Sequence, residues 1–96
     1  MKKYKEVVLD LTDCEHVGMI QPKIKEAFDF PSWYGENWDA FKDFLFYEYP
    51  VAKVTVIGAY TLPPIFDRDM QILREILEKA KEEYREFDND FSYEWK

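Results

Sequence analysis

The chain has 96 residues, of which 18 are aromatic, 13 are Lys or Arg and 20 are Asp or Glu, giving a formal net charge of −7. That length suits one small domain with one hydrophobic core and leaves no room for a second, catalytic unit. The acidic balance argues against a nucleic-acid partner, which would be held mainly by Lys and Arg on phosphates, and favours a basic protein instead.

Soft ligands are scarce: Cys14 and His16 are the single cysteine and histidine. Two residues so close in sequence do not converge easily into a nucleophile–base pair, and they cannot supply a zinc site or a disulfide framework, so neither a metal nor another cofactor is expected. Most hydrolase mechanisms drop out with them. A lone cysteine fits a reducing, cytoplasmic compartment. Met1-Lys2-Lys3 leads into mixed charge and not into the apolar run of a secretory signal. No stretch of ~18 apolar residues is available to span a membrane.

In chain order, Lys5–Leu11 alternates Val7, Leu9 and Leu11 and predicts a strand. A helical pattern follows, with Val17, Ile20, Ile24, Ala27 and Phe28 on one face. Pro22 interrupts it, so either the helix starts near Gln21 with Pro22 at its first position, or it kinks there. Phe30–Gly35 reads as a loop, with Gly35 supplying a positive φ, and Asn37 as the N-cap of a helix from Trp38 to about Phe46. Val51–Ile57 is an almost wholly apolar, β-branched run that suits a central strand buried in a parallel sheet. After Pro63-Pro64, Asp67 or Asp69 caps a long helix whose apolar stripe is Met70, Leu73, Ile76, Leu77, Ala80 and Tyr84. An Asp88-Asn89-Asp90 turn then opens a last strand over Phe91–Trp95. This order predicts one α/β domain over residues 1–96: a small three-stranded, mostly parallel sheet packed by three to four helices, with right-handed crossovers.

Residues 30–49 are anomalous, holding 9 of the 18 aromatics and a charge of −3. On a helical wheel Trp38, Ala40, Phe41, Phe44 and Leu45 face the core, while Asp39, Lys42, Asp43 and Phe46 share the opposite side. Carboxylates at i and i+4 repel by a few tenths of a kcal/mol, so helix stability does not select this pair. They form either an ordinary solvated face eased by Lys42, or an interface. The exposed aromatic Phe46 and the preceding Trp33-Tyr34-Gly35 favour the interface, because aromatics rimmed by acid suit binding more than plain surface. Trp33 and Tyr34 alternatively fold back over the core. Glu78, Glu82, Glu83 and Glu86 read as a solvated face, and Cys14 and His16 as structural or incidental.

The stretch Phe30-Pro31-Ser32-Trp33-Tyr34-Gly35-Glu36-Asn37-Trp38-Asp39-Ala40-Phe41-Lys42-Asp43 closely resembles the signature of the barstar family of ribonuclease inhibitors, through its Tyr-Gly-Glu-Asn-x-Asp-Ala core. The likeness extends more weakly along the chain, through the element order, the Met-Lys-Lys start, Tyr49-Pro50 and Ala80-Lys81. The resemblance implies a three-stranded parallel sheet with helices and no catalytic activity. It also implies a basic, extracellular-type ribonuclease as partner, bound in the cytoplasm by an inhibitor that is monomeric before the complex forms. By position it gives Asp43 the role of mimicking substrate phosphate and Asp39 the neighbouring acidic contact, with Trp33, Tyr34, Gly35 and Asn37 as further interface positions. Lys42 stands where an aromatic interface residue occurs in the family, Lys79 replaces an acidic contact, and the connection from Phe46 to Pro50 is shorter by about two residues.

Two other readings compete with the ribonuclease inhibitor. An immunity or antitoxin-type module would bind a basic partner that is not a ribonuclease. An enzyme would use Glu36, Asp39 and Asp43 as acid and base, with carboxylate spacing compatible with glycosidase chemistry. A domain this small offers no deep cleft to bury one carboxyl and raise its pKa, which disfavours the enzyme.

Overall fold

Val7 and Leu9 leave their strand on the same side, and that parity organises the sheet. A computed structural model of the chain describes residues 4–87 and 89–96. The Met1-Lys2-Lys3 start, and Asp88 of the expected turn, lie outside the described residues. Strands β1 (Glu6–Asp10), β2 (Lys53–Ile57) and β3 (Ser92–Trp95) form one sheet in the order β1-β2-β3, parallel throughout. The register sets Val7 beside Val54 and Val54 beside Tyr93, then Leu9 beside Val56 and Val56 beside Trp95. Two cross-strand rows of apolar side chains therefore line the inner face.

The first crossover carries α1 (Ile20–Phe28) and α2 (Trp38–Asp43), and the second carries α3 (Asp67–Glu86). Both step the same way across the sheet, so one hand of connection places the helices on one face. Burial follows: Val7, Leu9, Val54 and Val56 are enclosed, while Glu6, Val8 and Asp10 are exposed. The apolar run of β2 predicts cover on both faces. β2 is central, but its outward residues Lys53, Thr55 and Ile57 are only half-buried. They are shielded by neighbouring strands, as where Lys53 Nζ meets Glu94 Oε1 at 3.0 Å.

Helix starts depart from expectation in two places. A 3₁₀ turn at Val17–Met19 precedes α1 and leaves Val17 exposed, so Val17 is not part of the buried face. Helix α1 then begins at Ile20 and continues through Pro22 to Phe28. The expected start near Gln21 holds to within one residue, and Pro22 falls at the third helical position, where it lacks an N–H that would have had no partner within the helix. For α3, neither Asp67 nor Asp69 is the cap; Phe66 holds that position at the end of a 3₁₀ turn, Pro64–Phe66. The stripe itself is as expected, with Leu73, Ile76, Leu77, Ala80 and Tyr84 buried and Met70 half-buried.

Helix α2 does not stop near Phe46. It passes into a π-helical segment, Phe44–Glu48, closed by Tyr49 N–H donating to the Phe44 carbonyl at 2.6 Å. The buried Tyr84 hydroxyl fastens this segment to the sheet, donating to the Leu45 carbonyl at 2.7 Å and accepting from the Val51 N–H at 3.1 Å. Burial outweighs the favourable bond from Val51, and the Tyr84 phenol is pushed up to about 12.

Candidate protein-binding site

Asn37 sets where α2 begins. Its backbone is extended and its Oδ1 accepts from the Ala40 N–H at 2.8 Å, which satisfies one of the orphan donors of the first turn. The positive φ ahead of this cap belongs to Glu36, at 50°, and not to Gly35. Gly35 serves a different need: a Cβ there would lie 3.3 Å from the Ala40 Cβ and 3.5 Å from Asn37 Nδ2, so its small size lets the loop close against the helix. Asn37 Nδ2 also donates to the Gly35 carbonyl. Gly35 and Asn37 thus build the turn that presents α2.

A second tether comes from α3. Trp38 Nε1 donates to Asp69 Oδ1 at 3.0 Å, and the half-buried indole meets Phe41 edge to face. Sequence patterning placed Trp38 toward the core but contained no signal for its bond to Asp69, because partners 31 residues apart leave no local periodicity.

On this fixed helix Asp39, Lys42 and Asp43 are exposed, as the wheel predicts. Asp39 lies in the first turn, where the helix dipole favours a carboxylate. Among the described residues, neither Asp39 nor Asp43 has a salt-bridge partner within 4.0 Å. The two carboxylates face solvent with their charge unspent.

The aromatics divide. Trp33 is 64% exposed and rests edge-on against Phe44, with ring centroids 5.1 Å apart. Phe44 follows Asp43 in sequence, so the loop tryptophan stands beside the C-terminal end of α2. Tyr34, an interface position by the resemblance, is only 3% exposed in the free chain and so follows the alternative in which it folds back over the core. Its ring packs on Phe30 and Phe44, and its hydroxyl donates to Gln21 Oε1. Burial, with a smaller contribution from Glu36, raises the Tyr34 phenol well above its ordinary range.

Phe46 needs correction. The π winding turns it toward the core flank, where it is half-buried, with the Lys42 ammonium 6.0 Å from its ring centroid. Tyr47 becomes the outward aromatic, at 72% exposure. Asp39, Asp43, Lys42 and Trp33 therefore stand on the surface, with Gly35 and Asn37 also exposed in the turn beside them and Tyr34 packed beneath.

Among the described residues, no three His, Cys, Asp or Glu side chains are grouped to hold a metal ion, and no helix is long and apolar enough to cross a membrane. Cys14 is buried, and burial raises its thiol pKa.

A family model described as "Barstar (barnase inhibitor)" matches residues 4–96. The chain is also 26% identical over 91 residues to the Bacillus subtilis (strain 168) protein named "Putative ribonuclease inhibitor YrdF", a match spanning 84% of this chain and 94% of that protein. With the family model running from β1 through β3, and the signature residues gathered on α2 and the loop that leads into it, the chain belongs to the barstar family.

Proposed function

We propose that this chain inhibits a basic ribonuclease by inserting α2 and the preceding loop into the active-site cleft. The observation that carries this reading is the Asp39 and Asp43 pair: exposed, unpaired among the described residues, and mounted on a helix fastened by Asn37 and by the Trp38–Asp69 bond. A cleft that binds RNA phosphates is lined with Arg, Lys and His. Carboxylates on a rigid helix satisfy the same donors through charge-assisted hydrogen bonds, at little cost in ordering. Asp43 takes the place of substrate phosphate, Asp39 engages an adjacent cation, and Trp33 covers the contact with an apolar surface. The net charge of −7 speeds encounter with a basic nuclease. The inhibitor acts in the cytoplasm, as a monomer until the complex forms.

The test is a titration of RNA cleavage by barnase, and by basic ribonucleases from the chain's own source, at several ionic strengths. Stoichiometric inhibition that weakens with salt is expected. Asp39→Ala and Asp43→Ala should each weaken inhibition by ~2 kcal/mol or more, the scale of an interface hot spot, while leaving the thermal melt nearly unchanged. Recovery of a basic partner without nuclease activity, released by the same two substitutions, would replace this reading with the immunity-type module.

A further inference from the structure

Beside the acidic face of α2 lies a groove of opposite character. It has a volume of about 240 Å³ and is lined by Lys42 from α2 and by Ile72, Glu75, Ile76 and Lys79 from α3. Ile76 is 8% exposed and Ile72 half-buried, so the groove combines apolar lining with lysines from both helices. Among the described residues, neither Lys42 nor Lys79 has a salt-bridge partner within 4.0 Å, although Asp43 adjoins Lys42 in sequence and Glu75 precedes Lys79 by one helical turn. The Lys42 ammonium lies over the Phe46 ring instead. Glu75 can neutralise no more than one of the two cations. Two ammonium groups without ion-pair partners among the described residues therefore stand next to the carboxylates of the candidate site, on a chain of charge −7.

We propose that this groove receives one acidic side chain of the partner nuclease, so that Lys42 and Lys79 select ribonucleases carrying a carboxylate on the rim of the active site. This rests on the ribonuclease-inhibitor reading and deepens it. The occupant follows from the chemistry of the lining. Two lysines lining one groove, unpaired among the described residues, favour a carboxylate, and Ile72 and Ile76 accommodate the methylenes that carry it. A volume of about 240 Å³ is ample for one acidic side chain. Continuity with α2 places the groove at the edge of the same contact, because Lys42 lies one turn beyond Asp39 and directly before Asp43. The bond from Trp38 to Asp69 holds α2 against α3 and keeps the walls of the groove in place.

Charge reversal separates this contact from general attraction. Lys42→Glu and Lys79→Glu make the inhibitor more acidic, so long-range steering toward a basic nuclease increases and association speeds up. Loss of a specific carboxylate contact acts the other way, on dissociation. The experiment measures both rates for the complex with the ribonuclease inhibited most tightly in the titration above. The double reversal should raise the dissociation rate ~10- to 100-fold despite faster association, and Lys42→Gln with Lys79→Gln should raise it less. Replacing one acidic residue on the nuclease rim by Lys should restore slow dissociation to the reversed inhibitor. Thermal melts confirm that each variant is folded. An unchanged or slower dissociation of the reversed inhibitor, while Asp39→Ala and Asp43→Ala still break the complex, would overturn the groove assignment alone. Insensitivity to the aspartate substitutions would instead remove the inhibitor reading beneath it.

Discussion

The Trp38 indole and the Asp69 carboxylate meet at 3.0 Å, joining the first turn of α2 to the first turn of α3. This bond replaces the capping role that sequence assigns to Asp69. It fixes the helix bearing Asp39 and Asp43 against the longest element of the fold before any partner arrives. Trp38→Phe keeps the packing on Phe41 and removes the donor. The expected cost is ~1 kcal/mol, read from urea unfolding, together with faster dissociation of the nuclease complex. Asp69→Asn retains an acceptor and should lose less than half as much stability.

Adjacent residues Trp33 and Tyr34 should behave in opposite ways. Tyr34→Ala empties a buried site between Phe30 and Phe44 and should cost ~3–5 kcal/mol of stability. Trp33→Ala removes an exposed ring and should cost no more than ~1 kcal/mol of stability, while weakening nuclease binding by ~2 kcal/mol or more. Paired melts and inhibition curves would show the split. Equal loss of stability in both variants would place Trp33 in the core and remove it from the interface.

Alkaline pH should unfold the protein early. The Tyr84 phenol is pushed up to about 12 in the folded state, whereas an unfolded tyrosine titrates near ~10. The unfolded chain therefore releases this proton first. The stabilisation is full below pH ~10 and is lost as pH rises through about 12. Tyr34 acts in the same direction. Melting temperature followed from pH 8 upward should fall beyond pH ~10. Tyr84→Phe should flatten part of that fall and Tyr84→Phe with Tyr34→Phe more of it. At neutral pH the Tyr84→Phe change costs ~1–3 kcal/mol, because the Val51 N–H and Leu45 carbonyl lose their buried partner.

Gly58→Ala should be among the most damaging small substitutions. Gly58 follows β2 with φ at 80°, and a Cβ there would fall 2.6 Å from both the Thr12 Cα and the Thr12 N. Backbone cannot swing aside as a flexible side chain can. A loss of ~2–4 kcal/mol is expected, visible as a drop of many degrees in melting temperature for a domain this size. A shift of only a degree or two would mean that the turn relaxes.

Periodicity exposed most of the fold because strands and the long helix obey it over several residues. Val7 and Leu9 in β1, and Leu73, Ile76, Leu77, Ala80 and Tyr84 in α3, repeat often enough for one rule to hold. Local rules failed where the backbone left standard winding. A wheel drawn at 100° per residue assumes α geometry, but from Phe44 onward the chain closes hydrogen bonds over five residues. Hence Phe46 turns inward, Tyr47 turns out, and Phe44 stacks on Tyr49 at 5.3 Å. Asn37 and the Asp39–Asp43 face were legible because a cap and an i, i+4 pair are short-range features. The contrasting burial of Trp33 and Tyr34 was not. Both residue types serve cores and interfaces, and only the position of Gln21 and Phe44 in space decides between them. The groove between Lys42 and Lys79 is likewise a product of helix packing, with no trace in either segment alone.

The π winding after α2 also bears on how this chain tolerates changes in its length. Winding through five residues where an α-turn needs fewer stores slack between two points that Tyr84 holds, the Leu45 carbonyl and the Val51 N–H just ahead of the central strand. Removing one residue within Phe44–Glu48 can be absorbed by tightening to α-helical pitch, since the rewinding lies downstream of Asp39 and Asp43. The carboxylates would hold their bearing while Tyr47 and the following loop rotated. Length variation is thereby confined to the far side of the acidic face, and the segment acts as an expansion joint for the surface that precedes it.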